Sequence, residues 1–264
     1  MEIRLGIIGW PLKKTFSPKI HQSLSEISNI DISYKKLPIE KFTLEIFESL
    51  NNEFDGYNVT IPHKEKIYNL SKDLENVSSS SVVENIKAVN TVKVDGKNVL
   101  LSNTDINGIN QTFDSINFDI NDKIVLILGS GGSAQTAKYT LSENNTVHIV
   151  SRNKKDGDFT YTDVDKLAGD VEVIINTTPL GMPPYKNEKL PISHLNFSKL
   201  ELFYNFGYGV SKKLISDLPK NVTSIDGTIM LIAQAISSFN IWTGQCIKFN
   251  EAYKEIVERI DYEN

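Results

Sequence analysis

The segment Lys123-Ile124-Val125-Leu126-Ile127-Leu128-Gly129-Ser130-Gly131-Gly132-Ser133-Ala134 decides the fold. Its first part, Lys123–Leu128, is dominated by a continuous apolar run of the length of a buried strand. A helical pattern that includes Ala137 and Leu141 follows the glycines. Strand, glycine-rich turn and helix in this order begin a βαβ unit, so the segment predicts a parallel sheet of Rossmann type.

The glycine-rich turn also predicts a ligand. Gly129, Gly131 and Ala134 fit the pattern G-x-G-x-x-G/A, in which the glycines allow a tight turn and a close backbone approach to a pyrophosphate. The N-terminus of the following helix adds N–H donors and a positive dipole. An ordinary tight turn is the alternative, but the strand and helix on either side favour dinucleotide binding. The predicted cofactor-binding residues in this turn are Gly129, Ser130, Gly131, Gly132, Ser133 and Ala134.

The end of the next predicted strand indicates which dinucleotide binds. A NAD-binding turn usually has Asp or Glu about 20 residues after the glycines, where it binds the ribose 2′-hydroxyl. Here Val150–Lys155 contains no acid and has a guanidinium at Arg152. Arg152 can bind a 2′-phosphate through two hydrogen bonds, with Ser151 or Asn153 donating and Lys154 adding charge. A solvated basic loop is the alternative, but the position after the glycine turn favours NADP.

The remaining apolar patterns divide the chain into two α/β lobes. The first lobe alternates strands and helices and predicts a mixed sheet, and two C-terminal helices return to it. Residues 1–105 plus 226–264 form this predicted substrate-binding and catalytic lobe, and residues 106–225 form the NADP-binding lobe. The predicted strands are Arg4–Ile8, Ile32–Leu37, Gly56–Ile61, Ala88–Val94, Asn98–Ser102, Thr146–Val150, Val171–Asn176 and Glu201–Tyr204. The predicted helices include one capped by Ser17 with Pro18 as its first residue, Lys64–Leu70, Thr228–Trp242 and Glu251–Tyr262.

Composition narrows the class of protein. The chain has 264 residues, of which 40% are hydrophobic and 23% are charged, so a sizeable core is expected. Its net charge of -5 argues against nucleic acid as a main partner. One cysteine and four scattered histidines predict neither a disulfide nor a metal site. We expect a cytoplasmic monomer or homodimer that binds a small-molecule substrate, with no membrane partner, since no long apolar run or leader pattern is present.

Two charged residues in the first lobe directly follow predicted strands. Lys64 lies just beyond Gly56–Ile61, and Asp105 lies just beyond Asn98–Ser102. Such a pair can perform general acid–base chemistry at an alcohol or ketone oxygen, because the ammonium donates to a developing alkoxide while the carboxylate orients it. The spacing of the two residues alone does not distinguish a catalytic pair from two solvated surface groups.

Eight motifs, in order along nearly the whole chain, resemble those of the shikimate dehydrogenase family. The first resembles G-x-P-x-x-H-S-x-S-P-x-x-H, the second N-V-T-x-P-x-K, and the later ones include A-V-N-T, N-T-D and G-x-x-M-L-x-x-Q-A. They lie at Gly9–His21, Asn58–Lys64, Ala88–Thr91, Asn103–Asp105, Gly129–Ala134, Ser151–Asn153, Ile175–Met182 and Gly227–Ala235.

The resemblance implies an activity and a set of roles. The family reduces 3-dehydroshikimate reversibly to shikimate with NADP, in chorismate and aromatic amino-acid biosynthesis, as a cytoplasmic oxidoreductase. Lys64 and Asp105 resemble its catalytic pair. The residues implied to bind substrate are Thr15, Ser17, Thr60, Asn90, Tyr204 and Gln234, and those implied to lie near the cofactor include Thr177, Gly227 and Met230.

Four positions depart from the family's pattern. Thr15 replaces a serine, Lys14 a histidine, Leu101 a glycine and Phe206 a proline. These changes leave open a broader quinate/shikimate dehydrogenase. A non-catalytic ligand-binding relative is a further alternative, against which the intact Lys64 and Asp105 argue.

Overall fold

The computed structural model describes residues 2–12, 15–208, 214, 216 and 218–260. The chain folds into two compact units. Unit 1 comprises Met1–Gly108 and Ile232–Asn264, and unit 2 comprises Ile109–Leu231. Both boundaries lie a few residues after those expected from the sequence and fall inside helices.

Unit 1 is built on a six-stranded mixed sheet of order β2-β1-β3-β5-β6-β4. β1, β2 and β3 are parallel to one another, and β5 is antiparallel to both β3 and β6. The strands are β1 (Ile3–Gly9), β2 (Ile32–Pro38), β3 (Gly56–Val59), β4 (Val77–Ser79), β5 (Thr91–Asp95) and β6 (Asn98–Ser102). The helices of this part of the chain are α1 (Ser17–Ser28), α2 (Leu44–Glu53), α3 (Lys64–Ser71), α4 (Ser81–Ile86) and α5 (Asp105–Ser115).

Unit 2 contains a six-stranded sheet of order β12-β11-β10-β7-β8-β9, in which every described pair is parallel. Its strands are β7 (Ile124–Leu128), β8 (Thr146–Ser151), β9 (Phe159–Thr160), β10 (Val173–Asn176), β11 (Leu202–Asn205) and β12 (Thr223–Ile225). Its helices are α6 (Gly132–Leu141) and α7 (Asp165–Ala168). Helix α8 (Thr228–Thr243) begins in unit 2 and has most of its residues in unit 1, and α9 (Phe249–Arg259) belongs to unit 1. Strand order reverses between β7 and β10, which is where open α/β sheets bind ligands.

The continuous apolar sequence of β7 is explained by burial on both faces. Val125 and Ile127 pack into one hydrophobic cluster, and Leu126 and Leu128 pack into another. Because side chains alternate along a strand, both faces of this sheet are covered. The Rossmann-type sheet predicted from the segment is therefore confirmed.

Several element boundaries differ from the sequence expectation. The predicted capping role of Ser17 is wrong, because α1 begins at Ser17 itself and Phe16 takes the N-cap position. The Ser17 N–H instead donates to Thr15 Oγ1 at 3.2 Å. β3 ends two residues early and β5 begins only at Thr91. None of the described helices is both long and apolar enough to cross a membrane.

Candidate active site

Lys64 and Asp105 form a close ion pair in unit 1. Lys64 Nζ donates to Asp105 Oδ2 at 2.5 Å, and only 13% and 7% of the two side chains are exposed. The topology explains the meeting: β3 and β6 are each antiparallel to β5, so they run in the same direction and end at one sheet edge. α3 begins with Lys64 just after β3, and α5 begins with Asp105 just after β6. The pair predicted from the sequence is thus assembled by the fold.

Asn90 holds the second oxygen of the Asp105 carboxylate. Its Nδ2 donates to Asp105 Oδ1 at 2.8 Å, and its Oδ1 accepts the backbone N–H of Thr104 at 2.7 Å. The Asp105 N–H donates to Asn103 Oδ1 at 3.1 Å. Gln234 Oε1 lies 3.5 Å from Asn90 Nδ2 and so joins the same group. With Lys64 on one oxygen and Asn90 on the other, the carboxylate has a fixed orientation.

Three hydroxyl groups predicted to bind substrate follow β1 and β3 along the chain. Thr15 Oγ1 donates to Ser17 Oγ at 3.1 Å, and Ser17 is the first residue of α1. Thr60 follows β3, and its hydroxyl makes no hydrogen bond to the residues that the structure describes. Lys14, which departs from the family motif, lies outside the described residues.

The glycine turn of unit 2 leaves space for a phosphate. Gly129 has φ +108°, which favours glycine, and a Cβ there would lie 2.7 Å from Thr177 Oγ1. That threonine hydroxyl donates to the backbone oxygen of Leu128 at 2.7 Å, so it braces the turn. Gly131 is the N-cap of α6, and a Cβ there would meet nothing within 4 Å. Open backbone at a helix N-terminus suits a pyrophosphate.

The basic segment after β8 presents its cationic side chains to solvent. Arg152, Asn153 and Lys154 are exposed, and Arg152 forms no ion pair with a described residue. Ser151 is buried instead, and its hydroxyl donates to the backbone oxygen of Asn153. Ser151 therefore shapes the turn, while Arg152 offers a guanidinium at the position expected for a 2′-phosphate. The open glycine turn and this cation fit NADP.

Comparisons with known proteins show the family to which the chain belongs. Residues 7–92 match the family model described as the shikimate dehydrogenase substrate binding domain. The chain is 31% identical to a shikimate dehydrogenase (NADP(+)) of Methanococcus maripaludis, with 91% of each protein covered. It is 33% identical to one from Clostridium botulinum, with 92% of this chain and 97% of the relative covered. The chain belongs to the shikimate dehydrogenase family.

A solved structure supports the family assignment independently. The chorismate mutase/shikimate 5-dehydrogenase fusion protein of Clostridium acetobutylicum superimposes with a TM-score of 0.83 at 28% identity. The match covers 98% of this chain and 96% of that one, so both units share the family's fold.

Tyr204, which the family motifs implied as a substrate-binding residue, also has a packing role. It is fully buried in the hydrophobic core of unit 2, where its ring packs edge-on against Phe113. Its hydroxyl is 3.0 Å from Thr112 Oγ1. Its proposed contact with the substrate stays a prediction.

Gly227 and Met230 also have structural explanations in unit 2. A Cβ on Gly227 would lie 2.2 Å from the backbone oxygen of Phe206, so close packing requires glycine here. Met230 is mostly buried in the same hydrophobic cluster as Tyr204. The proposed proximity of Gly227 and Met230 to the nicotinamide stays a prediction.

One of the positions that depart from the family pattern, Leu101, is fully buried in the core of unit 1.

Further polar residues, not predicted from the sequence, surround the Lys64–Asp105 pair. Ser238 Oγ lies 2.8 Å from Thr91 Oγ1 and 3.0 Å from Thr104 Oγ1, and it accepts from Asn58 Nδ2 at 3.1 Å. Asn58, Thr91 and Thr104 each stand inside a family motif, and Ser238 is one helical turn after Gln234. A buried polar residue requires partners, and this requirement is the signal that could have identified them.

Proposed function

We propose that the protein catalyses the reversible, NADP-dependent reduction of 3-dehydroshikimate to shikimate, in the biosynthesis of chorismate and the aromatic amino acids. The observation that carries the proposal is the buried contact of 2.5 Å between Lys64 and Asp105, next to the family's substrate-binding motifs. Membership of the family supports both the reaction and the cofactor.

Lys64 is the acid–base group in this proposal. When the ketone of 3-dehydroshikimate is reduced, its oxygen gains negative charge, and the Lys64 ammonium donates a hydrogen bond and then a proton to it. In the oxidation of shikimate, the reacting hydroxyl gives its proton back to the Lys64 amine. Asp105 holds the ammonium in place and accepts a hydrogen bond from a substrate hydroxyl, and Asn90 keeps that carboxylate oriented.

NADP, when bound, supplies the acceptor for the hydride released by shikimate. Gly129–Ala134 would bind its pyrophosphate and Arg152 its 2′-phosphate, with Asn153 and Lys154 beside it. Ser151 and Thr177 act through the backbone, since each fixes one of these two turns.

The substrate carboxylate is assigned to the Thr15 and Ser17 hydroxyls at the start of α1. Thr15 and Ser17 lie at the N-terminus of this helix, where the dipole favours an anion. Thr60, Asn90 and Gln234 are then assigned to the ring hydroxyls. Because the whole chain is acidic, Lys64 supplies the local positive charge that an anionic substrate needs.

The proposal is tested by following reduced NADP at about 340 nm with purified protein. We expect a steady increase in absorbance with shikimate and NADP, and a much smaller one when NAD replaces NADP. Quinate is tested in parallel, since the extra methyl group of Thr15 raises the question of substrate range. No increase with any of the four combinations would favour a non-catalytic ligand-binding relative.

Arg152→Ala is expected to weaken NADP binding by about tenfold or more while leaving NAD binding almost unchanged. The reason is that only NADP has the 2′-phosphate, and a hydrogen bond to a charged group contributes about 1.5–3 kcal/mol. Titration calorimetry with both cofactors measures the difference. Lys199→Ala is the control, because it removes an exposed positive charge paired with Asp170 elsewhere in unit 2. Equal affinity of the unmutated protein for NADP and NAD would contradict the assignment.

Ser17→Ala is expected to raise KM for shikimate about tenfold with a much smaller change in KM for NADP. The lost hydroxyl is a donor to the substrate carboxylate, and such charge-assisted bonds are stronger than neutral ones. Ser23→Ala is a matched control, because Ser23 is also buried on α1 but its hydroxyl donates only to the backbone oxygen of Lys19. If the two variants have the same KM and only their thermal stability falls, Ser17 has no part in binding.

We also propose that the protein acts in the cytoplasm as a monomer or homodimer, without nucleic acid or membrane partners. The acidic composition and the small-molecule reaction support this proposal.

A further inference from the structure

Ser238 lies at the centre of a fully buried group of polar side chains in unit 1. Its Oγ is 2.8 Å from Thr91 Oγ1 and 3.0 Å from Thr104 Oγ1. It also accepts from Asn58 Nδ2 at 3.1 Å and donates to the backbone oxygen of Gln234 at 3.0 Å. A hydroxyl has one proton and two acceptor sites, so one acceptor site of Ser238 remains for the proton of a threonine.

The same two threonines hold the oxygen of the Asn90 amide. Asn90 Oδ1 accepts the backbone N–H of Thr104 at 2.7 Å, which leaves one acceptor site on this oxygen. Thr91 Oγ1 lies 2.8 Å and Thr104 Oγ1 3.2 Å from it. One threonine hydroxyl can donate there, and the proton of the other then goes to Ser238 Oγ.

The amide nitrogen of Asn90 connects this group to the Asp105 carboxylate. One of its protons goes to Thr104 Oγ1 at 2.9 Å and the other to Asp105 Oδ1 at 2.8 Å. With its oxygen and both of its protons engaged, the amide has a single orientation. A continuous path of hydrogen bonds therefore runs from Ser238 through Thr104 and Asn90 to Asp105.

Other residues hold α8, the helix that carries Ser238, against β5. Trp242 Nε1 donates to the backbone oxygen of Val92 at 2.8 Å, and Lys93 Nζ donates to the backbone oxygen of Ile241 at 2.8 Å. Both contacts stay when the Ser238 hydroxyl is removed. Such a change acts mainly on the hydrogen bonds around Asn90.

We propose that Ser238 is a positioning residue, which fixes the Asn90 amide and, through it, the Asp105 carboxylate. The inference rests on the proposed catalytic role of Asp105. Without the Ser238 oxygen, the threonine proton that it accepts turns back toward Asn90 Oδ1 or toward the other threonine. Both changes compete with the hydrogen bonds that orient Asn90, so the carboxylate is held less firmly.

Ser238→Ala is expected to lower kcat with shikimate about three- to tenfold, with KM for NADP within about twofold of the unmutated value. Ser71→Ala is the matched control, because Ser71 is also fully buried on a helix of unit 1 and its hydroxyl donates to the backbone oxygen of Ile67. Thermal denaturation checks that the two variants lose similar stability. Thr91→Val removes a neighbouring hydroxyl at nearly constant shape, should lower kcat by a similar factor, and replaces Ser238→Ala if that variant does not fold.

A double variant distinguishes action through Asp105 from general loosening of unit 1. In an Asp105→Ala background, Ser238→Ala should change kcat by less than about twofold, because the carboxylate that it orients is absent. Hydrogen exchange of the Asn90 side-chain amide, followed by NMR, tests the orientation without any substrate. We expect exchange at least about threefold faster in Ser238→Ala and unchanged in Ser71→Ala.

An unchanged kcat in Ser238→Ala, an equal decrease in Ser71→Ala, or the same fold decrease with and without Asp105 would each overturn the inference. Unchanged exchange of the Asn90 amide would overturn it as well. Failure of the proposed function is a separate result, because the unmutated protein would then show no activity with shikimate and NADP, while the exchange measurement would still test the role of Ser238.

Discussion

Lys64→Ala is expected to lower kcat by at least about a hundredfold, while shikimate and NADP bind with affinities much closer to normal. Positioned acid–base groups contribute about 10²–10⁴-fold to rate, and this contribution is made mainly in the transition state. The structure supports a large effect, because Asp105 Oδ2 holds the Lys64 ammonium at 2.5 Å at the start of α3. Steady-state kinetics in both directions, together with direct titration of each ligand, separate rate from binding.

Lys66→Ala is the control for this variant, since Lys66 is an exposed lysine on the same helix. It should leave kcat and both KM values unchanged. A near-normal kcat in Lys64→Ala would remove Lys64 from the mechanism. Lost binding with an unchanged kcat would instead make the lysine an anchor for the substrate's negative charge.

Asp105→Asn is expected to reduce kcat/KM for shikimate by about 10²–10³-fold, with contributions from both kcat and KM. The change keeps the shape of the side chain but removes the charge that pairs with Lys64 and the oxygen that accepts a substrate hydroxyl. It also leaves a mostly buried ammonium without its counter-ion, so stability should fall by several kcal/mol, about 3–5 for a fully buried pair. Steady-state kinetics and thermal denaturation measure the two effects.

Asp114→Asn provides the comparison for this variant, because Asp114 is exposed on the same helix, α5. The double variant Lys64→Ala/Asp105→Asn should be little worse in kcat than Lys64→Ala alone, since the two residues act as one unit. A multiplicative loss in the double variant would show that Asp105 acts independently of Lys64.

The sequence was sufficient to predict the parallel sheet of unit 2. The run Ile124–Leu128 is apolar throughout because both faces of β7 are buried, and the glycine turn after it has a direct physical requirement at Gly129. Lys64 and Asp105 were also identified, although their contact depends on two non-adjacent strands that end at the same sheet edge.

Other features depend on tertiary contacts that no local pattern reports. α5 was not predicted, since its sequence Asp105–Ser115 contains glycine and several polar residues, and its apolar residues Ile109 and Phe113 pack only in the folded unit. Tyr204 matched a substrate-binding motif, yet the core of unit 2 encloses it. Serine is a residue type that is common at N-cap positions, but the backbone N–H of Ser17 donates a hydrogen bond to the Thr15 hydroxyl.

The polar residues around the Lys64–Asp105 pair also depend on tertiary contacts that local sequence patterns do not predict. Ser238 lies 134 residues along the chain from Thr104, and only the folded structure brings the two hydroxyls within 3.0 Å. Tyr34 lies on β2, outside all the quoted motifs, and its contacts with His21 and Asn58 form only in the folded unit.

Isotope transfer shows whether this protein moves a hydride from the reacting carbon of shikimate to NADP. Shikimate carrying deuterium at carbon 3 is incubated with purified protein and NADP, and the reduced cofactor is analysed by mass spectrometry. We expect to find the deuterium in the nicotinamide of the reduced NADP, and we expect Lys64→Ala to slow the transfer by at least about a hundredfold. Unlabelled reduced cofactor, or no reduction of NADP at all, would contradict it.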